Sequence, residues 1–309
     1  MAYKLTENQI RTVVERGSKA LADYCINGNL HYVVTGSSGG LDSAVTLAFA
    51  ERACKLVKTK NHALISVALV MPCESDHEDT KKGLLAAQTF GAQTITSCLD
   101  PAFACFTEKI KKSLDDKIVE ILTKPGGSNA IANWNWSERV AQGNIKARLR
   151  MITLYHAAKM LNGMVLSTDN LSEYWMGFWT ICGDVGDFNI IQNIMKGREL
   201  YDIARFLGIP EEIVKAQPGD GLKVAGTAQT QLGADYPTID TIMIQLIQYG
   251  FDPNGSNRQL ENLPQLAGVD PISIEMVAGK CLRGTYKRRG TVTLSREYLG
   301  LPAIEDIEL

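Results

Sequence analysis

Residues 36–43 read Gly-Ser-Ser-Gly-Gly-Leu-Asp-Ser, directly after the run His31-Tyr32-Val33-Val34. Glycines let backbone N–H groups approach an anion closely, and a helix N-terminus adds partial positive charge. A strand, a glycine-rich turn and a helix opening at Asp42 and Ser43 therefore suit phosphate. No Gly-Lys-Ser/Thr follows, so this is not a Walker A loop. Asp42 admits two readings, a helix cap or a magnesium ligand. A second carboxylate, Glu173, closes the stretch Thr168-Asp169-Asn170-Leu171-Ser172-Glu173. Alone it reads as a surface carboxylate. Further on, helical spacing puts Asn144, Arg148, Met151 and Tyr155 on one stripe, with Ile145, Leu149, Ile152 and His156 on the next. The second stripe reads as core. The first is either a solvated face or, through the planar fork of Arg148, a face that binds an anion. No Ser-His-Asp or Cys-His nucleophile motif is present.

These groups need elements to bring them together. Four runs read as strands: His31–Thr35, Ala63–Met71, Gln93–Cys98 and Met164–Ser167. Helical patterns separate them, at Asp42–Val57, His77–Phe90, part of Pro101–Leu122, and Asn144–Leu161. Strand alternating with helix predicts an α/β fold, a parallel sheet with helices on both faces. An amphipathic helix over Leu5–Tyr24 precedes the first strand, and another helix runs from Gly197 to Leu207. Lys124–Ser137 reads as a surface loop. Gln217–Pro237, with four glycines, reads as a long loop, either disordered or a lid that orders over bound nucleotide. In parallel sheets ligands bind at the carboxyl ends of strands. The loops after the first and fourth strands are thus expected to face one crevice.

The string Ser38–Ser43 resembles the pyrophosphate loop of ATP pyrophosphatases, which split ATP into AMP and pyrophosphate. The resemblance extends to Asn144–Tyr155, Ser167–Glu173, Gly183–Asp187 with Lys196, and Leu232-Gly233 followed by Tyr236 and Ile239-Asp240. Together these stretches closely resemble ammonia-dependent NAD synthetases over roughly residues 30–240. The resemblance implies a Rossmann-like fold of the adenine nucleotide alpha-hydrolase kind with a helical C-terminal extension. It also implies one NAD synthetase domain over residues 1–309, with no amidase domain for making ammonia from glutamine. The implied reaction uses deamido-NAD, ATP, Mg²⁺ and ammonia, and passes through an acyl-adenylate. Because the attacking groups belong to the substrates, the protein needs no nucleophile; it must gather negative charge and stabilise the leaving pyrophosphate. Gly36, Ser37, Ser38, Gly39, Gly40, Leu41, Asp42 and Ser43, with Thr168 and Lys196, would bind ATP. Asp42 and Glu173 would hold the metal, and Lys196 would neutralise charge on the phosphates. Asn144, Arg148, Tyr155, Asp184, Asp187 and Lys287 would bind deamido-NAD. The family's members are cytoplasmic homodimers with that site at the subunit interface. Loss of Asp42 or Glu173 is expected to stop turnover with little loss of folding.

The sequence departs from the family pattern in places. Ile181 stands where many members use a lysine for deamido-NAD, and Asp187 aligns only across a one-residue gap. Pro218-Gly219-Asp220-Gly221-Leu222 lacks a hydroxyl that contacts ATP. Ala228, Gln229 and Gln231 replace acidic residues, and Tyr286 replaces a histidine.

The 309 residues carry a formal net charge of −2, 45% hydrophobic and 21% charged side chains. That composition is globular and offers no global field for nucleic acid. Seven cysteines form no Cys-x-x-Cys pair, which predicts reduced thiols and a cytoplasmic setting. No apolar stretch is long enough to span a bilayer. Two rivals remain: another adenylating enzyme of the superfamily, and a nucleotide-binding module without catalysis. Asp42, Glu173 and Lys196 argue against the second, because a pure binding module has no need of the magnesium pair that the resemblance implies.

Overall fold

The computed structural model describes all residues except 1–2, 59, 61, 125–133, 220–221, 223, 225–227, 297 and 302–309. Five strands build one parallel sheet in the order β3-β2-β1-β4-β5. They are β1 (Tyr32–Gly36), β2 (Ile65–Val70), β3 (Gln93–Thr96), β4 (Gly163–Ser167) and β5 (Phe188–Asn189). The four runs expected from the sequence are present, the second and third with trimmed ends, the first shifted by one residue to end at Gly36 and the fourth extended back to Gly163; the two-residue β5 is an addition. Val34 pairs with Val67 on one side and Val165 on the other, and all three are buried. Such β-branched residues suit a strand covered on both faces.

Helices α1 (Glu7–Asn27), α2 (Leu41–Lys58) and α3 (His77–Thr89) precede β3. The chain continues through α4 (Asp100–Cys105) and a wide turn at Phe106–Lys111 into α5 (Lys112–Leu122), and then α6 (Trp134–Leu161). After β4 come α7 (Leu171–Met176), a wide turn at Lys196–Leu200, α8 (Tyr201–Leu207) and α9 (Glu211–Val214). The C-terminal part holds α10 (Ala228–Leu232), α11 (Tyr236–Gln248), a 3₁₀ turn at Asn257–Asn262, α12 (Pro271–Arg283) and α13 (Thr285–Arg288). On one face of the sheet α1, α2 and α8 pack through Val14, Phe49 and Ile203. On the other, α4 and α6 pack through Phe103, Met151 and Leu154. The C-terminal helices have a core of their own, with Ile239, Met243 and Val277 against Trp175 and Met176 of α7.

Three expectations are corrected. Trp134, Asn135 and Trp136 belong to α6, not to a loop, and residues 125–133 of that stretch lie outside those described. The core stripe of α6 is also rotated. Gly143, Ala147, Met151, Leu154 and Ala158 are buried, whereas Ile152 is 66% exposed. Small residues at 143 and 147 let the helix approach its neighbours closely on that side. Finally, the stretch Gln217–Pro237 contains α10 and the start of α11, so it is only partly loop; Asp220 and Gly221 are outside the described residues.

Strand order reverses direction between β1 and β4, which opens a crevice at their carboxyl ends. Gly36 and Ser167 end these neighbouring strands, so the two loops expected to share a crevice do so.

Candidate active site

The phosphate loop runs from the end of β1 into α2. Ser37 donates its backbone N–H to the Leu69 carbonyl and its hydroxyl to the Gly83 carbonyl, each at 2.8 Å. The hydroxyls of Ser38 and Ser43 lie 3.1 Å apart across the turn. Gly39 has φ +85°, and a Cβ there would collide with the Asp79 carbonyl oxygen at the start of α3. Only glycine meets both demands. The loop forms one wall of a cavity of about 470 Å³, whose lining includes all of Gly36–Ser43 and Thr168. Met71, Met151 and Leu154 supply an apolar wall, which suits an aromatic base.

Asp42 is directed across the crevice. One carboxylate oxygen accepts from Lys196 Nζ at 2.5 Å and the other from Asn170 Nδ2 at 2.8 Å. Asn170 is the N-cap of α7: its side-chain oxygen accepts from the Glu173 N–H at 3.0 Å, and Glu173 answers toward the Asn170 N–H. This capping box sets Glu173 on the cavity wall. Lys196 Nζ lies 3.5 Å from Glu173 Oε1, which also accepts from the Tyr236 hydroxyl at 2.8 Å. The ammonium sits 4.5 Å from the centre of the Tyr236 ring, a favourable cation–π distance.

Lys196 is 6% exposed. Burial alone would push its ammonium down, but Asp42, Tyr236 and Glu173 outweigh it and hold the pKa well above the usual lysine range. Burial pushes Glu173 up, with Asp42 adding to the rise and Lys196 opposing it. A buried cation thus already bridges the two carboxylates. Hard oxygen donors around a positive charge are also what Mg²⁺ requires, and the donor set of Asp42 and Glu173 fits it. No cluster of three or more His, Cys, Asp or Glu suited to a metal occurs among the described residues. A two-carboxylate site completed by phosphate oxygens needs none.

The six residues expected to bind the second substrate divide into two groups. Asn144, Asp184 and Lys287 line the cavity. Asn144 Oδ1 accepts from the Thr180 hydroxyl at 2.7 Å, and Asp184 accepts from the Thr180 N–H at 2.5 Å. Lys287 Nζ donates to the carbonyls of Gly177 at 2.8 Å and Trp179 at 2.5 Å. Burial pushes Lys287 down and Asp184 up. Arg148, Tyr155 and Asp187 lie outside this cavity, on the outer side of α6 and the adjoining loop. Arg148 donates to the Ile181 carbonyl at 3.2 Å. The Tyr155 hydroxyl donates to Asp187 at 3.0 Å, and the other Asp187 oxygen accepts from the Val165 N–H at 2.9 Å. Burial and Asp187 push the Tyr155 hydroxyl up to about 12.

A protein-family model described as NAD synthase matches residues 13–290. The chain belongs to the NAD synthase family. The NH3-dependent NAD+ synthetase of Syntrophomonas wolfei is 32% identical over 212 residues, 68% of this chain and 75% of that protein. That of Pyrococcus horikoshii is 29% identical over 278 residues, 90% and 91% of the two chains. Among solved structures, the NMN synthetase of Francisella tularensis superposes with a TM-score of 0.69 at 25% identity, covering 92% of this chain and 98% of that one. This NAD synthase family member is accordingly a ligase that uses ATP.

Several site residues escaped sequence reasoning. Asp169 lies beside Thr168 on the cavity wall, 6% exposed, and its Oδ2 has no hydrogen-bond partner. Burial, then Asp184, Glu173 and Asp42, push its carboxyl well above the usual range. Asn170 carried a signal, an N-cap residue three before a glutamate. Tyr236 was marked only by the resemblance; its role was not legible, because its contact with Glu173 spans 63 residues. Phe178 and Trp179 line the cavity, whereas Trp175 packs in the C-terminal core.

Proposed function

We propose that this protein amidates deamido-NAD with ammonia, consuming ATP and releasing AMP, pyrophosphate and NAD. The observation that carries the reading is the Lys196 ammonium held between Asp42 and Glu173 at the mouth of the phosphate loop. The names of the curated relatives above support the choice of acceptor. The nicotinate carboxylate attacks the α-phosphorus of ATP, pyrophosphate leaves, and an acyl-adenylate forms. Ammonia then attacks the acyl carbon, AMP leaves, and one proton is released. The N–H groups and serine hydroxyls of residues 36–43 hold phosphate oxygens, and Lys196 stabilises charge on the leaving pyrophosphate. Magnesium, held by Asp42 and Glu173 when bound, supplies further charge neutralisation at the phosphates. Asn144, Asp184 and Lys287 position the acceptor within the cavity.

Arg148, Tyr155 and Asp187 face outward, beside the exposed side chains of Ile152, Ile181 and Val185. Their position supports a homodimer in which a second copy completes the acceptor site. The unpaired state of all seven cysteines supports a cytoplasmic setting. The likeness to an NMN synthetase favours one alternative, the mononucleotide of nicotinate as acceptor, and Ile181 in place of the family lysine is compatible with it.

The deciding experiment supplies ATP, Mg²⁺ and ammonium with either deamido-NAD or deamido-NMN, and glutamine in place of ammonium in parallel. NAD and AMP appearing one for one, with ammonium but not glutamine, is the expected result. A kcat/KM favouring the mononucleotide by tenfold or more would transfer the assignment to that acceptor. Absence of AMP with either would overturn the ligase reading of the site.

A further inference from the structure

Asp240 lies within α11 and is fully buried, among the apolar residues Ile239, Ile242 and Met243 of its own helix. An ionisable group in such a place is costly unless its hydrogen bonds are satisfied. Its partners come from the two segments that carry Glu173 and Lys196. Oδ1 accepts from the Ser172 hydroxyl at 2.5 Å, and Oδ2 accepts from the Gly197 N–H at 2.8 Å. The Ser172 oxygen in turn accepts from the Lys196 N–H at 2.9 Å. Asp240 therefore fastens the residue before Glu173 to the two residues from which the Lys196 side chain rises.

The same corner is closed by backbone contact. A Cβ on Gly197 would collide with the Pro237 nitrogen and the Tyr236 carbonyl carbon, so the Lys196 turn lies directly on the start of α11. Tyr236, from that same turn of helix, supports the ammonium with its ring and Glu173 with its hydroxyl. Of the charged residues, Arg198 favours and Glu199 opposes the ionised form of Asp240. An apolar side chain at position 240 would fill the space without ordering these two segments.

We infer that Asp240 is a positioning residue: through Ser172 and the Gly197 N–H it sets where the Lys196 ammonium stands relative to Asp42 and Glu173. The inference rests on the role proposed for Lys196 above. It predicts coupling between Asp240 and Lys196 that a purely structural carboxylate would lack. Asp240→Asn keeps the size and can still accept from the Gly197 N–H, but its amide N–H₂ faces the Ser172 hydroxyl, so that bond must reverse and the Ser172 O–H loses its acceptor. Misplacing a catalytic group by about 1 Å costs on the order of 10²-fold in rate.

The test is a double-mutant cycle on kcat and KM for ATP in the full-length protein, with thermal melting of each variant. Asp240→Asn is expected to lower kcat between about tenfold and a hundredfold, with KM for ATP changed less than about threefold. Added to Lys196→Ala, it is expected to lower kcat no further. Ser172→Ala, which removes the middle hydroxyl and keeps the carboxylate, is expected to show the same non-additivity; it decides the matter should Asp240→Asn not fold. Full kcat in both variants, or losses that multiply with that of Lys196→Ala, would overturn the inference and leave the function standing. A Lys196→Ala protein with full kcat would instead overturn the role of Lys196 itself.

Discussion

At the residue scale the site is a balance of buried charges. Asp42, Glu173 and Lys196 are each 16% exposed or less in their side chains. Removing Asp42 takes away the ammonium's nearest counter-charge and leaves Glu173 as its only ion-pair partner among the described residues. Breaking a buried pair typically costs 3–5 kcal/mol, with Glu173 here limiting the loss. Asp42→Ala should therefore abolish turnover and also lower the melting temperature by several degrees, more than the sequence alone suggested. An unchanged melting temperature would show that the pair contributes nothing to folding. Gly39→Ala is the second expectation. A left-handed φ in alanine costs roughly 1–2 kcal/mol, and its methyl would displace α3. KM for ATP should rise at least tenfold with kcat less affected; an unchanged KM would remove the loop from nucleotide binding. The loop was legible because its chemistry is local, eight consecutive residues between a strand and a helix. Asp169 was not, because an aspartate reads as exposed until the chain has been folded around it.

At the scale of elements, regular periodicity was readable and its orientation less so. Four strands and the long helices stood out through apolar runs and 3.6-residue spacing. β5 did not, since two residues carry no period. The face that α6 buries was misjudged because Gly143 and Ala147 count little in hydrophobicity yet decide where a helix packs. α11, capped by Asp235 with Pro237 in its first turn, was not read as a helix, and Asp240 stood out only through the resemblance at Ile239-Asp240, which gave it no role. Its environment gives a pH signature. Burial, against the bonds from Ser172 and Gly197, pushes its carboxyl up to about 6, whereas an unfolded chain has it near 4. Between these values the folded protein keeps a proton that the unfolded chain has lost. Stability contributed by this group therefore falls as pH rises from about 4 to 6, by roughly 2–3 kcal/mol, and is level above. Urea melts at pH 4.5 and 7 should show that fall reduced in Asp240→Asn relative to the parent. Equal slopes would show that Asp240 is ionised throughout.

At the scale of the whole molecule, one crevice receives residues from nearly every part of the chain. One outer face, meanwhile, is left with Ile152 at 66%, Ile181 at 42% and Val185 at 39% exposure near Arg148, Tyr155 and Asp187. Scattered surface apolar residues are common, but this set surrounds three of the proposed acceptor-binding residues. On the homodimer proposed above, Ile152→Glu should give a monomer in light scattering where the parent gives a dimer, and raise KM for the acceptor while leaving KM for ATP near its parent value. A monomeric parent would dispose of the shared site. The order of assembly has a further consequence. The phosphate loop needs only β1, β2, α2 and α3, all within the first 90 residues. Glu173 and Lys196 acquire their supports only with Tyr236 and Asp240. Arg288, through the carbonyls of Tyr174 and Trp175, holds the end of α7 later still. The contacts of the loop itself are thus encoded well before those of the groups that act on the nucleotide. The groups that act on the nucleotide therefore gain the last of these supports only at α13.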